Sequence, residues 1–144
     1  MLDENTTPAA NHTPIEEVRK RFSHDHFATD ACGCEVLEAW RGHAVCAFDI
    51  APVHRNALGA VMGGAIFTLA DFALAVASNV DDVTAVSVSN TIEFLSGTRG
   101  QRLIATCNAD KSGRNLCFYS VDVRDDLGTL VARMSATCYR IQGK

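Results

Sequence analysis

The sequence lacks the basic surface that nucleic-acid binding requires. The chain has a formal net charge of -4 at pH 7 and a pI near 5.6, and its lysines and arginines are scattered along the chain. Clustered cations are the usual electrostatic footprint of a protein that binds nucleic acid. We therefore expect no nucleic-acid partner.

The sequence also leads us to expect neither a signal peptide nor a membrane span. The chain begins MLDENTTPAANHT, which is polar and slightly acidic, so it has neither the basic region nor the apolar core of a signal peptide. The uncharged run at 57–80 is interrupted by Asp71. A membrane span needs about 20 predominantly apolar residues, and this run reaches that length only by including Asp71, Thr68, Ser78 and three glycines. We expect a cytoplasmic protein with no membrane partner.

The cysteines lack the spacing of a structural zinc site. Four of the six lie in apolar, strand-like runs, namely Cys46, Cys107, Cys117 and Cys138. Without an export signal, these residues indicate buried free thiols rather than disulfides. The histidines and aspartate at 24–26 precede Cys32 and Cys34, but C-x-C differs from the usual C-x-x-C of zinc sites. We expect no metal and no cofactor.

What the chain does have is enough apolar residues for one globular core. At 144 residues and 47% hydrophobic content it is predicted to form a single domain over 27–144, preceded by a polar tail and short helix at 1–26. The stretch from Thr13 to Glu16 resembles a capping box, with Pro14 at the first helical position. The spacing of Ile15, Val18 and Phe22 then predicts a short amphipathic helix.

The pattern of the remaining chain predicts an α+β domain. Two strands at 34–40 and 43–50 are separated by Arg41-Gly42, and a long helix opens at Gly63-Gly64. The period then becomes two: Val86, Val88, Ile92 and Phe94 alternate with Ser87, Ser89, Thr91 and Glu93. Further strands are expected at 103–109, 116–124 and 130–139. One long helix among these strands indicates an antiparallel sheet wrapped on a helix.

Asp71 is the single charged residue within the long apolar helix. A carboxylate there is costly to bury unless it is hydrogen-bonded or used in chemistry. It is no N-cap, because the helix begins about two turns upstream. A structural aspartate bonded to neighbouring backbone remains an alternative. Helical spacing places small and polar residues on one face, which faces a cleft or a second subunit: Gly64, Thr68, Asp71, Ala75 and Ser78.

These residues carry a resemblance to a known family. The motif His54-x-Asn56-x-x-Gly59-x-x-Met62-Gly63-Gly64, followed by Phe67-Thr68-Leu69-Ala70-Asp71, resembles the signature of the PaaI-type acyl-CoA thioesterases of the hotdog fold. The similarity continues through Val86-Ser87-Val88 and Gly113-Arg114 to the segment at 128–132. It implies hydrolysis of an acyl-CoA, with aryl or short to medium acyl groups, at a subunit interface in a homodimer or homotetramer.

The resemblance also implies roles for single residues. Gly63 matches the backbone N–H that stabilises the oxyanion at the helix N-terminus, although it also suits tight packing. Asp71 matches the catalytic carboxylate, acting as a nucleophile or as a general base. Asn56 matches a polar residue near the thioester, with a turn-forming role as the alternative. Ser87 matches a serine that places water or the leaving sulfur, with an outward, solvated position as the alternative.

Other positions are expected to bind substrate. Lys111 and Arg114 are candidates for the phosphates of coenzyme A, and Gly64 and Thr68 lie on the polar face of the helix. Met62 departs from the family, which usually has histidine there, and it is expected to form an apolar wall of the acyl pocket. Two other functions stay open. A non-catalytic acyl-CoA binding protein would explain Met62, whereas a hotdog hydratase is disfavoured because the helix at 63–79 has no histidine.

Overall fold

A six-stranded antiparallel sheet and one long helix form the body of the molecule. The computed structural model describes residues 12–81 and 84–141. The main elements are α1 (Ile15–Phe22), β1 (Glu35–Trp40), β2 (His43–Asp49), α2 (Gly63–Asn79), β3 (Ala85–Phe94), β4 (Arg102–Ser112), β5 (Leu116–Asp125) and β6 (Leu130–Arg140). The strands lie in the order β1-β2-β4-β5-β6-β3, with every neighbouring pair antiparallel. The predicted α+β architecture is confirmed.

The core lies between α2 and one face of the sheet. Leu69, Ala73 and Val76 on α2 are fully buried, and they pack against buried strand residues such as Phe48 and Val121. Alanines on the helix allow it to approach the sheet closely. Burial of the apolar helix face stabilises the helix far more than the intrinsic helix propensity of its residues does. This packing fixes where α2 begins and which of its faces stays uncovered.

The predicted elements agree with the observed bounds, with two additions. Each predicted strand begins within one residue of its observed start, and β4 continues three residues further than expected, past an irregularity between Ala109 and Lys111. A π-helical turn at Phe27–Ala31 and a 3-10 turn at Pro52–His54 were not predicted. Both are short segments whose conformation depends on tertiary contacts rather than on periodicity.

The N-terminal helix forms without the predicted capping box. Pro14 is the N-cap residue, and no side chain caps the helix. The Thr13 hydroxyl instead donates to Asp81 Oδ1 at 2.9 Å and lies 3.3 Å from the Val80 carbonyl oxygen. The predicted capping box requires Thr13 as the N-cap residue, whereas the helix begins one residue later, after Pro14. The polar tail predicted before this helix lies, up to residue 11, outside the described residues.

The predicted alternation of β3 is wrong in its first half. Ser87 pairs with Cys138 and Ser89 with Thr137, so Val88 is the extra residue of a β-bulge. Val86 and Val88 are therefore 45% and 59% exposed, whereas Ser87 lies on the sheet face that carries buried Cys138. The alternation of apolar and polar residues in the sequence does not reveal the bulge. The extra residue moves the preceding side chains to the opposite face of the sheet, while the order of residues in the sequence stays the same.

The remaining sequence expectations concern thiols, membranes and metals. All six cysteines are free and buried, including the four expected in strands. None of the helices within 12–81 and 84–141 is long and apolar enough to cross a membrane. Over the same ranges, no group of three or more His, Cys, Asp or Glu side chains is arranged to hold a metal ion.

Candidate active site

The start of α2 is held in place by a buried histidine. The Met62 N–H, at the N-cap, donates to the His54 carbonyl oxygen at 2.8 Å. His54 Nε2 lies 2.7 Å from the Cys32 carbonyl oxygen, and its Nδ1 accepts the Ala51 N–H at 2.9 Å. The ring also stacks on Phe48 with a centroid distance of 4.0 Å. His54, the first residue of the motif, thus has a structural role: it fixes the loop that leads into the helix.

The first backbone N–H groups of α2 are available to a ligand. Gly63 and Gly64 donate no hydrogen bond to any residue in the described part of the chain. Unpaired N–H groups and the helix dipole together favour a negative charge at this point. A Cβ at Gly63 would lie 3.1 Å from Cζ of Phe94, so the glycine also allows the aromatic ring to pack against the helix start. The packing reason predicted for Gly63 is therefore observed, whereas its role as an oxyanion donor stays a prediction.

A cavity of about 670 Å³ opens beside the helix start. Gly63, Ile66 and Phe94 line its inner part, and two cations, Arg55 and Arg99, line it as well. Arg55 Nη1 donates to the Gly59 carbonyl oxygen at 2.9 Å. These arginines were not identified from the sequence, because they lie in loops whose approach to α2 depends on the fold.

Asp125 holds the loop 95–101 that forms one wall of this cavity. Its side chain is buried, and it accepts the backbone N–H groups of Arg99, Gly100, Leu127 and Thr129 at 2.8 to 3.0 Å. Burial alone would raise the pKa of Asp125, but the four backbone donors lower this pKa to about 2. Asp125 was also missed in the sequence, since its partners at 99 and 100 are more than twenty positions away.

Asp71 lies half-buried on the exposed stripe of α2. Its Oδ1 accepts a hydrogen bond of 3.4 Å from Asn90 Nδ2 on β3. Burial raises the pKa of Asp71, the charge of Asp25 raises it further, and the Asn90 hydrogen bond lowers it. Among the described residues no backbone N–H bonds this carboxylate, which disfavours the structural alternative. A carboxylate with a raised pKa in an accessible position suits general base or nucleophilic chemistry.

The predicted polar stripe is present, except at its end. Gly64 is exposed, and Thr68, Asp71 and Ala75 are half-buried. Ser78 is buried and donates its hydroxyl to the Leu74 carbonyl oxygen at 2.7 Å. The Thr68 hydroxyl likewise donates to the Gly64 carbonyl oxygen at 2.8 Å. Asp71 is therefore the charged group that this stripe of α2 presents to a ligand or to a second subunit.

Gly63 and Asp71 cannot act on one carbonyl group within a single chain. Eight positions along an α-helix correspond to about 12 Å, since each residue rises by 1.5 Å. A thioester carbonyl bound at the Gly63 N–H is thus out of reach of the Asp71 carboxylate of the same α2. The two groups can meet only if the site combines two copies of the chain.

Asn56 has the geometry of a turn former. Its Oδ1 accepts the backbone N–H groups of Leu58 at 3.0 Å and Ala60 at 3.1 Å. Its own N–H donates to the Ala60 carbonyl oxygen at 2.8 Å, which closes the loop before α2. These contacts favour the turn-forming alternative, with Asn56 shaping the entrance to the helix.

The remaining site candidates divide between the two ends of α2. Met62 is 55% exposed beside Gly63 and is not among the residues that line the cavity. Ser87 pairs with buried Cys138 on the helix-facing side of the sheet, but Ser87 itself is exposed. Lys111 and Arg114 lie at the β4–β5 turn, close to the C-terminal end of α2, where Gly42 bonds both Ala77 and Ala109. One chain alone therefore does not bring these two cations to Gly63.

Comparison with known proteins agrees with this geometry. The family model described as "Thioesterase superfamily" matches residues 58–132, which include α2 and its N-terminal glycines. This chain belongs to the thioesterase superfamily. The predicted resemblance to PaaI-type hotdog thioesterases, and the prediction of a thioester hydrolase, are therefore confirmed.

Individual relatives give the same result. The acyl-coenzyme A thioesterase PaaI of Escherichia coli is 29% identical over 126 residues, covering 84% of this chain and 90% of the relative. The solved E. coli PaaI structure superposes with a TM-score of 0.76, covering 91% of this chain and 99% of that chain at 26% identity. A Thermus thermophilus PaaI structure is 31% identical, with a TM-score of 0.73 over 78% of this chain and 97% of that one.

Proposed function

We propose that this thioesterase hydrolyses acyl-CoA to the free acid and coenzyme A. The observation that carries the proposal is the pair of unpaired N–H groups at the start of α2, beside a cavity of about 670 Å³. A carbonyl oxygen placed there would receive hydrogen bonds as its negative charge develops. The E. coli relative, an acyl-coenzyme A thioesterase, supports the substrate class.

The catalytic carboxylate is proposed to come from a second subunit. Because about 12 Å separates Gly63 from Asp71 along one helix, the site needs Gly63 of one chain and Asp71 of its partner. β3 is one of the two outer strands of the sheet, and its unpaired edge offers a surface for antiparallel pairing with a second β3. Two copies related in this way would form two composite sites.

The reaction balances by either of two routes. As a general base, Asp71 takes a proton from water, and the water oxygen bonds to the thioester carbon. The Gly63 N–H stabilises the oxyanion until the C–S bond breaks and the proton passes to the sulfur. As a nucleophile, Asp71 bonds to the same carbon and releases the thiolate, and water then hydrolyses the mixed anhydride. Ser87, on the helix-facing side of β3, is proposed to place the water or the sulfur.

Two sets of cations are candidates for the phosphates of coenzyme A. Arg55 and Arg99 line the cavity of the same chain as Gly63, whereas Lys111 and Arg114 lie near the other end of α2. Separate alanine substitutions in each pair distinguish the sets, because the loss of a phosphate contact raises KM while leaving kcat nearly unchanged. Thr68, Gly64 and Met62 are proposed to line the passage for the acyl group, and Asn56 to shape its entrance.

A panel of short, medium, long and aromatic acyl-CoAs, with free thiol detection, tests the proposal. We expect hydrolysis of at least one class by the wild-type protein and its loss in Asp71→Asn. The alternative, a non-catalytic acyl-CoA binding protein, is favoured by Met62 in place of the family's histidine. Tight binding of acyl-CoA with no thiol release by the wild-type protein would establish that alternative instead.

A further inference from the structure

The β-bulge in β3 turns an amide side chain towards α2. Ser87 and Asn90 are three residues apart, so a regular strand would place them on opposite faces. With Val88 as the extra residue, Ser87 pairs with Cys138 and Asn90 with Ala136, two buried residues on the helix-facing side. Bulges commonly redirect side chains next to active sites. Here the redirected residue is Asn90, which the family motif did not include.

The amide nitrogen of Asn90 donates to Asp71, whereas the amide oxygen has no hydrogen-bond partner among the described residues. Nδ2 donates to Asp71 Oδ1 at 3.4 Å. Oδ1 of Asn90 is buried and has no hydrogen-bond partner among the described residues. The opposite amide orientation would place two oxygen atoms against each other, so an ionised Asp71 fixes the orientation observed. A buried, unpaired carbonyl oxygen is costly and commonly marks a position where water or a ligand bonds.

We propose that Asn90 is a positioning residue for Asp71. The inference rests on the proposed function. By holding Oδ1 of the carboxylate, Asn90 leaves Oδ2 directed at the reaction partner, whether that partner is a water proton or the thioester carbon. Its other amide atom, Oδ1, is buried, so Asn90 contacts the carboxylate through Nδ2 alone. Asn90 thus orients the carboxylate without itself reacting.

Two groups from different elements shift the pKa of Asp71, and a neighbouring thiol does not. Asp25, on the segment after α1, raises the pKa of Asp71 by its charge, and Asn90 on β3 lowers it. Cys138 on β6 is also close, and burial, Cys117 and Asp71 together raise the pKa of this thiol to about 11, so the thiol is neutral where Asp71 titrates. Replacing Asn90 removes the one contribution that favours the ionised form. The pKa of Asp71 then rises, while the effect of Asp25 is unchanged.

Carbon-13 NMR of aspartate carboxyl groups measures this directly in the full-length protein. The Asp71 signal is assigned by its loss in Asp71→Asn and is titrated in wild type, Asn90→Leu and Asn90→Asp. We expect the midpoint to move to higher pH in Asn90→Leu, which keeps the shape without the donor. In Asn90→Asp it moves further, because a second carboxylate repels the first. Thr91→Val, on the opposite face of the strand, is the matched control and leaves the midpoint in place.

Kinetics supply the second readout. We expect kcat of Asn90→Leu to fall about tenfold, the effect of losing one hydrogen bond to a charged group. KM should change little, and the acid limb of the pH profile should move to higher pH. An Asp71 signal that titrates identically in wild type and Asn90→Leu overturns the role of Asn90. If the wild-type protein hydrolyses no acyl-CoA, the proposed function fails, and the NMR titration still decides whether Asn90 controls Asp71.

Discussion

In the proposed mechanism, Asp71 supplies the negative charge that acts on water or on the thioester. Asp71→Asn keeps the shape and the Oδ1 acceptor for Asn90 but removes the negative charge that a base or nucleophile needs. We expect hydrolysis of acyl-CoA to fall by about a hundredfold or more. The free energy of unfolding should stay the same or rise, because a partly buried charge is removed. Thiol-release assays and urea denaturation measure the two effects, and equal turnover by mutant and wild type would refute the mechanism.

Gly63 and Gly64 form a matched pair at the helix start. A Cβ at Gly64 would meet nothing nearer than Met62 Cε at 3.8 Å, whereas a Cβ at Gly63 would lie 3.1 Å from Phe94. We expect Gly64→Ala to stabilise the protein by about 0.4 to 1 kcal/mol through reduced freedom of the unfolded chain. Gly63→Ala should lack that gain, because the Phe94 ring must shift. It should also lower acyl-CoA hydrolysis by about tenfold or more, since the ring then crowds the oxyanion position. Urea denaturation compares the two variants. Equal stabilisation of both would contradict the close contact between a Cβ at Gly63 and the Phe94 ring.

How far the sequence predicted the site depends on whether a residue acts locally. The start of α2 and the stripe with Asp71 follow from helical spacing, so both were predicted. The sequence left two roles for Asn56, contact with the thioester and turn formation. The hydrogen bonds from Leu58 and Ala60, seen in the structure, favour turn formation. Asn90 and Asp125 were missed because their partners lie 19 to 26 positions away and are reached only through the folded sheet.

At the scale of elements, the loop 95–101 depends on the β5–β6 turn. The sequence predicted strands at 116–124 and 130–139 on either side of this turn, but it did not predict that Asp125 in the turn binds the distant loop 95–101. Asp125 has a pKa lowered from 3.8 to about 2, so its stabilising contribution is present above the ordinary pKa and is lost as pH falls towards 2. The wall of the cavity beside Gly63 should therefore loosen in acid.

Asp125→Asn tests this coupling between elements. Its amide NH₂ replaces one carboxylate oxygen, so at least one pair of backbone donors loses its acceptor. We expect a loss of roughly 2 to 3 kcal/mol in the free energy of unfolding at pH 7. The difference in the free energy of unfolding between variant and wild type should become smaller as pH falls from 4 towards 2. The wild-type carboxylate is then protonated and is uncharged, like the amide of the variant. Urea denaturation at several pH values measures this difference. A difference that does not depend on pH would contradict the lowered pKa of Asp125.

At the scale of the whole molecule, one 15.5 kDa chain has an unpaired strand edge, and in the proposed mechanism it supplies only part of each site. β3 is at the edge of the sheet, with Val86, Val88, Phe94 and Leu95 each 45% to 59% exposed. An edge strand with exposed apolar side chains is a site for pairing with another chain. We expect sedimentation at micromolar concentration to show at least a dimer. Replacing both Val86 and Val88 with lysine should give a folded monomer that does not hydrolyse acyl-CoA.

Subunit mixing tests whether the site is composite. If Gly63 of one chain acts with Asp71 of its partner, a heterodimer of Gly63→Ala and Asp71→Asn has one site with both native groups and one site with neither. Random exchange of equal amounts makes half of the dimers mixed, so about a quarter of wild-type activity should return from two nearly inactive proteins. If each site lay within one chain, every site would keep one defect and mixing would restore nothing. Absence of recovery, after mass spectrometry has shown that mixed dimers formed, would therefore place both groups in a single subunit and contradict the 12 Å argument from the helix.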